Sequence, residues 1–480
     1  MKRHLYILLF SFSILNNVWA QDYNLVCGLG FVYEISSSRG WGFGEPVIID
    51  ITPHSPAERA GLQLNDIIHT VNGRETYLQP LHMIDAWFLE RGTSVSMTVS
   101  NLHNQHRVIE INKLCRHINA IYESQLAPVF SFYSLEDMQN RRFVMPLETI
   151  VNDQARFLNY RTFAFAALSE GSDMVLNARI NAIFTRVLTE MGLTYNANDP
   201  DFIIRTFFNV QPNQHFDPHS PTLGTYQPVW RYDMRTNRWV RVPVYCPTEV
   251  VRLSDIPFHL EFGYQFFDRR HFGPGEAPLI WEGFVRERLS GHFPLIDYLE
   301  LHLPLMLQKF PNPGNRSFAT FHLRASRHNY TGIGFDMNDL RTVVSVTPNS
   351  PAARAGILPG DVIHSIQGQR FNHRNVQQLN TGYHRFIAET MNLRDPATRF
   401  TNAHGLTNAM YWDPLRYDRV VRAINNHRRY RAVFAYLFNF NPFIDPETPS
   451  TIRIEVQRGR ERLAFEVAPL IVSSSHLFVF

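Results

Sequence analysis

The 480-residue chain is nearly charge-balanced, with 46 lysines and arginines against 43 aspartates and glutamates, and it holds three cysteines, Cys27, Cys115 and Cys246. Those numbers leave no basic footprint for nucleic acid and too few cysteines for a disulfide-built scaffold. The length suits about three domains, and 44% hydrophobic residues supply their cores.

At the start, Lys2 and Arg3 precede an apolar run from Leu5 to Leu15, followed by Val18 and Ala20 at small-residue cleavage spacing. Residues 1–20 read as a secretory signal peptide cut near Ala20, and the mature chain is expected to be exported, to a periplasm or cell envelope. The run is short of the roughly 20 apolar residues of a membrane span. No later stretch supplies one, so any association with the envelope is expected to be peripheral.

Next comes CGLGF, residues 27–31, whose pattern returns as TGIGF at 331–335. Two glycines around one apolar residue make a sharp turn and uncover backbone N–H groups for an anion such as a carboxylate. Such a loop can also simply turn one strand into the next. Downstream, ITPHSPAERAGLQLNDIIHTVNG (51–73) is repeated by VTPNSPAARAGILPGDVIHSIQG (346–368). Each copy predicts a strand (47–51; 343–346), a Ser-Pro helix start and a short helix closed by Gly61 or Gly356. A strand follows Asp66 or Asp361, and turns lie at Asn72-Gly73 and Gln367-Gly368. PLHMIDAWFLERG, 80–92, places apolar residues at 81, 84, 87 and 88, as a helix closed by Gly92 does.

In this order the glycine loop, the SPAxxAG helix and the DIIxxVNG strand resemble a PDZ domain. The resemblance covers about 24–114, and 328–374 together with 451–470. It implies a β-sandwich or barrel-like module in which a partner's C-terminus adds a strand beside the one after the glycine loop, held by backbone hydrogen bonds. Carried over, the N–H groups of Leu29, Gly30 and Phe31, after Gly28, hold the carboxylate in the first copy. Ile333, Gly334 and Phe335, after Gly332, do so in the second. Helix 80–92 is then the groove helix, whose first residues select the ligand side chain two places before its C-terminus. His82 lies at or beside that position, where it would favour Ser or Thr, the alternative being an ordinary exposed histidine. In the family's topology Cys27 opposes a point near His106, and Cys115 follows roughly nine residues on at about 3.3 Å each. That exceeds disulfide reach, and no bridge between them is expected.

The middle third predicts a strand at 160–166, a helix at 174–192 with 176, 180, 183, 184, 187 and 188 on one side, and a strand at 198–210. HLEFGYQFFDRRH and APLIWEGFVRERL follow, then 293–311, helical at its end despite Pro304. This order reads as an α+β sandwich. YRTFAF, LNARINAIFTRVLTEMGL, NDPDFII, LIWEG and LMLQKFP resemble the envelope lipoprotein-like family known as domain of unknown function 4136, over about 155–312. Members usually carry a lipid-attached cysteine, which this chain lacks. The family brings no activity, only a fold and an envelope location.

In the second copy some eighty residues replace the groove helix between Arg370 and Thr451, before a closing hairpin, 451–470, with Gly459 in its turn. Such an insertion can roof or fill the groove. It holds PLRYDRVVRAINNHRRYR, 414–431, with Arg416, Arg419, Arg422, Arg428, Arg429 and Arg431 beside a helical apolar stripe. These suit an acidic partner or anionic headgroups, or form a solvated helix face.

No Gly-x-Ser-x-Gly elbow and no His-Glu-x-x-His occur. HFDPH, 215–219, offers two histidines and Asp217 but no further ligand for a metal. We therefore expect no catalytic residue, metal or cofactor. The expected architecture is multidomain: PDZ-like modules at 22–116 and 327–472 flank a central α+β domain at 120–325, and the second carries a mainly helical insertion at about 376–450. The expected function is non-enzymatic binding of C-terminal or extended peptides of partner proteins, as a scaffold or in quality control. The alternatives are a divergent hydrolase with a site in the central domain, and a structural protein whose grooves its own chain fills.

Overall fold

The computed structural model describes residues 25–52, 54–127, 138–167, 173–217, 229–244, 256–273, 277–312, 319–370, 375–396, 433–437 and 451–479, with a few single positions besides. Residues 1–20, read from the sequence as a signal peptide, together with Cys246 and most of 414–431, lie outside the described residues. The chain forms two compact units. One combines Leu29–Lys113, Arg142–His322 and the last four residues; the other combines the chain up to Gly28, Leu114–Arg141 and Leu323–His476.

In the first unit, the module after the first glycine loop is an antiparallel sheet in the order Phe31–Ile35, Pro46–Ile51, Ile67–Val71, Ser94–Ser100, Arg107–Asn112. Its two outer strands do not pair with each other, so the sheet of the expected sandwich or barrel-like module is open and not closed into a barrel. Alternation, reset by a bulge between Ile68 and Thr70, sends Ile48, Ile68, Val71, Val95, Met97, Val99, Ile109 and Ile111 inward. The Ser-Pro signal works as read: Ser55 caps the helix Pro56–Arg59 by accepting from Glu58 N–H at 3.2 Å. The repeat's aspartate is structural. Asp66 accepts from Gln63 N–H at 2.8 Å, and Arg107 pairs with it while donating to the carbonyl of Gly61. Asp361 receives the same set from Leu358 N–H and Arg458, with Arg458 reaching the carbonyl of Gly356.

The central domain of the same unit is built on a six-stranded sheet, ordered Leu147–Val151, Leu279–Leu289, Phe258–Asp268, Phe202–Pro212, Thr162–Phe165, Thr194–Tyr195, with a separate hairpin of Val229–Asp233 and Arg238–Val242. Only the Thr162–Phe165 strand pairs in parallel, the signature of a β-α-β entry followed by hairpins. The helices Met174–Glu190 and Leu295–Leu307 cover one face, with Phe184 against Phe262 and Tyr264. Leu295–Leu307 is helical through Pro304. Where an α+β sandwich was expected, the domain carries a six-stranded sheet with two helices on one face.

In the second unit Leu25–Gly28 pairs antiparallel with Leu114–His117, and Cys27 faces Cys115 directly, their Cα atoms 3.8 Å apart and their sulfurs bonded. The expectation of no bridge is therefore overturned. It took the strand opposite Cys27 to be the module's last one, but that strand ends at Asn112 in its own sheet. A separate strand after Lys113 then turns onto Leu25–Gly28.

The second module repeats the first: Ile333–Asp336, Val343–Val346, the helix Pro351–Ala355, Val362–Ile366, Ile452–Arg458 and Glu461–Val467. A helix does occupy the groove-helix position in the chain, Val376–Glu389, and its Leu379 enters the module's core. The additional residues come after this helix instead of replacing it. From them the short helix Val433–Leu437 inserts Phe434, Tyr436 and Leu437 into the same core.

Candidate peptide-binding grooves

Superposed by their hydrogen bonds, the two glycine loops match in an unexpected register. Gly30 and Gly332 have φ of 88° and 90°. The carbonyls of Leu29 and Thr331 accept from Ala57 and Ala352 N–H, and those of Gly30 and Gly332 from Thr52 and Thr347 N–H, at 2.7–2.9 Å. Strand bulges follow at Val32/Tyr33 and at Gly334/Phe335. Gly30 therefore corresponds to Gly332, and Leu29 to Thr331. Only glycine fits there: a Cβ on Gly30 would lie 2.1 Å from Ser55 Cβ, and one on Gly332 2.2 Å from Ser350 Cβ. In the second module Ile333, Gly334 and Phe335, expected as carboxylate donors, lie in the strand; the loop positions are Thr331 and Gly332.

In the first module, Phe31–Ile35 heads its sheet, and no described strand pairs with its outer edge. The helix Leu81–Leu89 lies across from it. Tyr33 donates its hydroxyl to Asp85 Oδ1 at 2.5 Å, and Phe88 packs edge-on against Phe31 at 5.3 Å. Burial, then the hydrogen bond to Asp85, pushes the Tyr33 hydroxyl well above its ordinary range, so it remains a donor. The helix begins at Leu81, which is half exposed; His82 is exposed, and the polar side chain that reaches the edge strand is Asp85, one turn on. Gly28 lies in the preceding strand with open space where a Cβ would stand.

In the second module the matching edge is covered. Ala120–Tyr122 pairs antiparallel with it, Tyr122 opposite Gly334, Ile121 opposite Phe335 and Ala120 opposite Asp336. The next residue, Glu123, is 1% exposed. Its Oε2 accepts from Thr331 N–H at 2.7 Å and from Gly332 N–H at 3.1 Å. Its Oε1 accepts from the Thr331 hydroxyl and, at 3.1 Å, from the Tyr436 hydroxyl. A side-chain carboxylate thus sits on the loop N–H groups where a C-terminal carboxylate was expected. Burial raises the Glu123 carboxyl to about 7 against the pull of these donors.

One constellation escaped the sequence reading. His69 bridges Glu45, at 2.7 Å from Nδ1, and Ser100 Oγ, at 2.7 Å from Nε2. The arrangement is that of an acid, a base and a hydroxyl. Ser100 is 0% exposed, however, so no substrate carbonyl reaches it and the trio serves to join three chain segments. Its members lie far apart in sequence with no shared motif, which is why the residues alone did not announce it. In the HFDPH stretch, Asp217 accepts from His219 N–H at 2.9 Å and closes its own turn. Of the arginine-rich stretch, Arg416, Arg419 and Arg422 are described and exposed, and Arg416 pairs with Asp413 at 3.2 Å.

Family models place PDZ domains at residues 47–100 and 342–380 and a domain of unknown function, DUF4136, at 147–312. A PDZ domain protein from Parabacteroides distasonis is 31% identical over 95% of this chain and 100% of its own, with a TM-score of 0.80. This chain belongs to that family of PDZ domain proteins. Its two PDZ domains flank the central domain and identify it as a protein- or peptide-binding molecule. The PDZ domain of HtrA3 bound to a phage-derived ligand aligns with 19% of the chain and 88% of its own at 22% identity, TM-score 0.17. A photosystem II D1 C-terminal processing protease aligns with 35% of the chain and 38% of its own at 14% identity, TM-score 0.16. Likeness at that level carries no argument. Among curated proteins none matches.

Proposed function

We propose that the first PDZ domain captures the free C-terminus of a partner protein as an added strand on Phe31–Ile35, with the carboxylate on the N–H groups of Leu29 and Gly30. One comparison carries this reading. Two domains share one loop geometry, and in the second an antiparallel strand and a carboxylate already occupy the matching positions. In the first, no described strand does so. Backbone pairing supplies affinity, and the rings of Phe31, Tyr33 and Phe88 with Leu81 make the groove suit apolar ligand side chains. The protein works as an exported, non-enzymatic binder in the bacterial envelope, in a scaffold or quality-control role. The Cys27–Cys115 bond favours that location, because disulfides persist in oxidising compartments.

The test is a free C-terminal peptide library presented to the full chain, with each peptide also made as its C-terminal amide. Acids should bind about tenfold or more tighter than amides, the cost of losing charge-assisted hydrogen bonds. Equal binding of the two, or none, sinks the proposal. Within the binding set, Leu81→Ser should weaken peptides with an apolar residue two places before the carboxylate by about tenfold, the worth of one buried apolar contact.

A further inference from the structure

The contact that fills the second PDZ domain is built for its occupant. Gly334 makes room for it: a Cβ there would lie 2.3 Å from Ser345 Oγ and 2.9 Å from the Tyr122 ring. At the corresponding place the first PDZ domain has Val32, which is 49% exposed. The Tyr122 hydroxyl meets Ser345 Oγ at 3.0 Å, and Tyr436, from the residues after the groove helix, reaches Glu123. The occupant is nevertheless short, with three paired residues. Its carboxylate is buried among neutral donors, which is costly for a charged group.

We propose that residues 120–123 are a resident ligand holding the second PDZ domain shut, and that weakening Glu123 opens a second groove. This groove takes peptides with aliphatic and aromatic residues before a free carboxylate, as Ile121 and Tyr122 precede Glu123. The inference goes beyond the proposed function and shares with it only the reading of the glycine loop as a carboxylate cradle.

The latch is pH-dependent through Glu123. The titratable and charged groups around it are the Tyr436 hydroxyl, Asp336 opposite Ala120, and Arg116 over the Tyr122 ring at 5.0 Å. Burial, then the Glu123 charge, holds Tyr436 protonated far above its ordinary range. Glu123 is raised in the fold from 4.5 to about 7. Its contribution is therefore complete below the lower value and is lost as pH rises through the upper one.

Calorimetric titration of the full chain with a peptide copying residues 117–123, His-Ile-Asn-Ala-Ile-Tyr-Glu with a free carboxylate, tests this. Glu123→Ala should show one more binding site than the unaltered protein. Tyr436→Phe, which removes one donor and should leave the fold intact, should bind the peptide at the second groove about tenfold tighter than the unaltered protein. An equal number of sites and equal affinity in all three proteins overturns the proposal. Peptide captured by the first PDZ domain adds equally to every count, so failure of that domain lowers all three and leaves the increment readable. Should Glu123→Ala not fold, Tyr436→Phe decides alone. Amide exchange at 333–336 gives the pH arm: protection should fall between about pH 4.5 and about 7, the span between the two values, and a flat profile removes Glu123 as the latch.

Discussion

Replacing Cys27 and Cys115 together by serine should lower the stability of the folded chain by about 4 to 5 kcal/mol, the loop-closure value for a long cross-linked loop. The two cysteines are 88 residues apart, and the first PDZ domain lies within the loop they close. Without the bond, the unfolded chain regains the freedom of that loop, while the folded strands Leu25–Gly28 and Leu114–His117 retain only a four-residue ladder. Denaturant unfolding of the double variant checks this, with the unaltered protein under a dithiol reductant as a second arm. Both should shift by the same amount. A loss below about 1 kcal/mol in either would mean that the unfolded chain is already compact, so that closing the loop changes little. A functional consequence follows from the chain path. Cys115 lies shortly before Ala120, so the bond anchors the segment that delivers Glu123 to the second domain. Amides at 333–336 should exchange faster once the bond is gone.

The features legible in the sequence are those that short-range chemistry dictates. Ser55 and Ser350 as caps, Gly356 ending its helix, and Asp66 and Asp361 before their strands each satisfy backbone groups within a few residues. A repeated pattern therefore meant a repeated fold. The central helix at 174–190 was equally readable, because Ile180, Ile183, Phe184, Val187 and Leu188 form one buried stripe. What spelling could not reveal was register. Gly-x-Gly-Phe matches Gly28 to Gly332, yet the constraint is the lack of space beneath a capping serine, which falls on Gly30 and Gly332. Gly334 is glycine for another reason, the Tyr122 ring above it. Glu123 itself was invisible, since its partners Thr331 and Tyr436 lie 208 and 313 residues away. The disulfide was hidden for the same cause: a family topology supplied the wrong opposing strand, and only the ladder at Leu114–His117 places Cys115 opposite Cys27.

Gly30→Ala should remove peptide binding and destabilise the first PDZ domain by more than about 3 kcal/mol, combining left-handed strain with steric overlap. The overlap is specific: the added methyl would lie 2.1 Å from Ser55 Cβ, on the residue that caps the helix Pro56–Arg59. Relief can come only by moving the loop or the helix, and either displaces the N–H groups of Leu29 and Gly30. Gly332→Ala faces the same overlap, 2.2 Å from Ser350 Cβ, but displaces Glu123 rather than an incoming peptide. Its expected signature is faster exchange at 333–336 with peptide capture by the first PDZ domain unchanged. A second substitution separates the two costs of Gly30→Ala. Ser55→Gly removes the colliding Cβ, and glycine replaces a serine cap at only a few tenths of a kcal/mol. In the double variant stability should recover by about 1 kcal/mol or more, leaving the strain of φ near 88°. Additive costs would show that the loop relaxes without touching Ser55. The loop would then tolerate a side chain, and its role as a carboxylate cradle would rest on the exposed N–H groups alone.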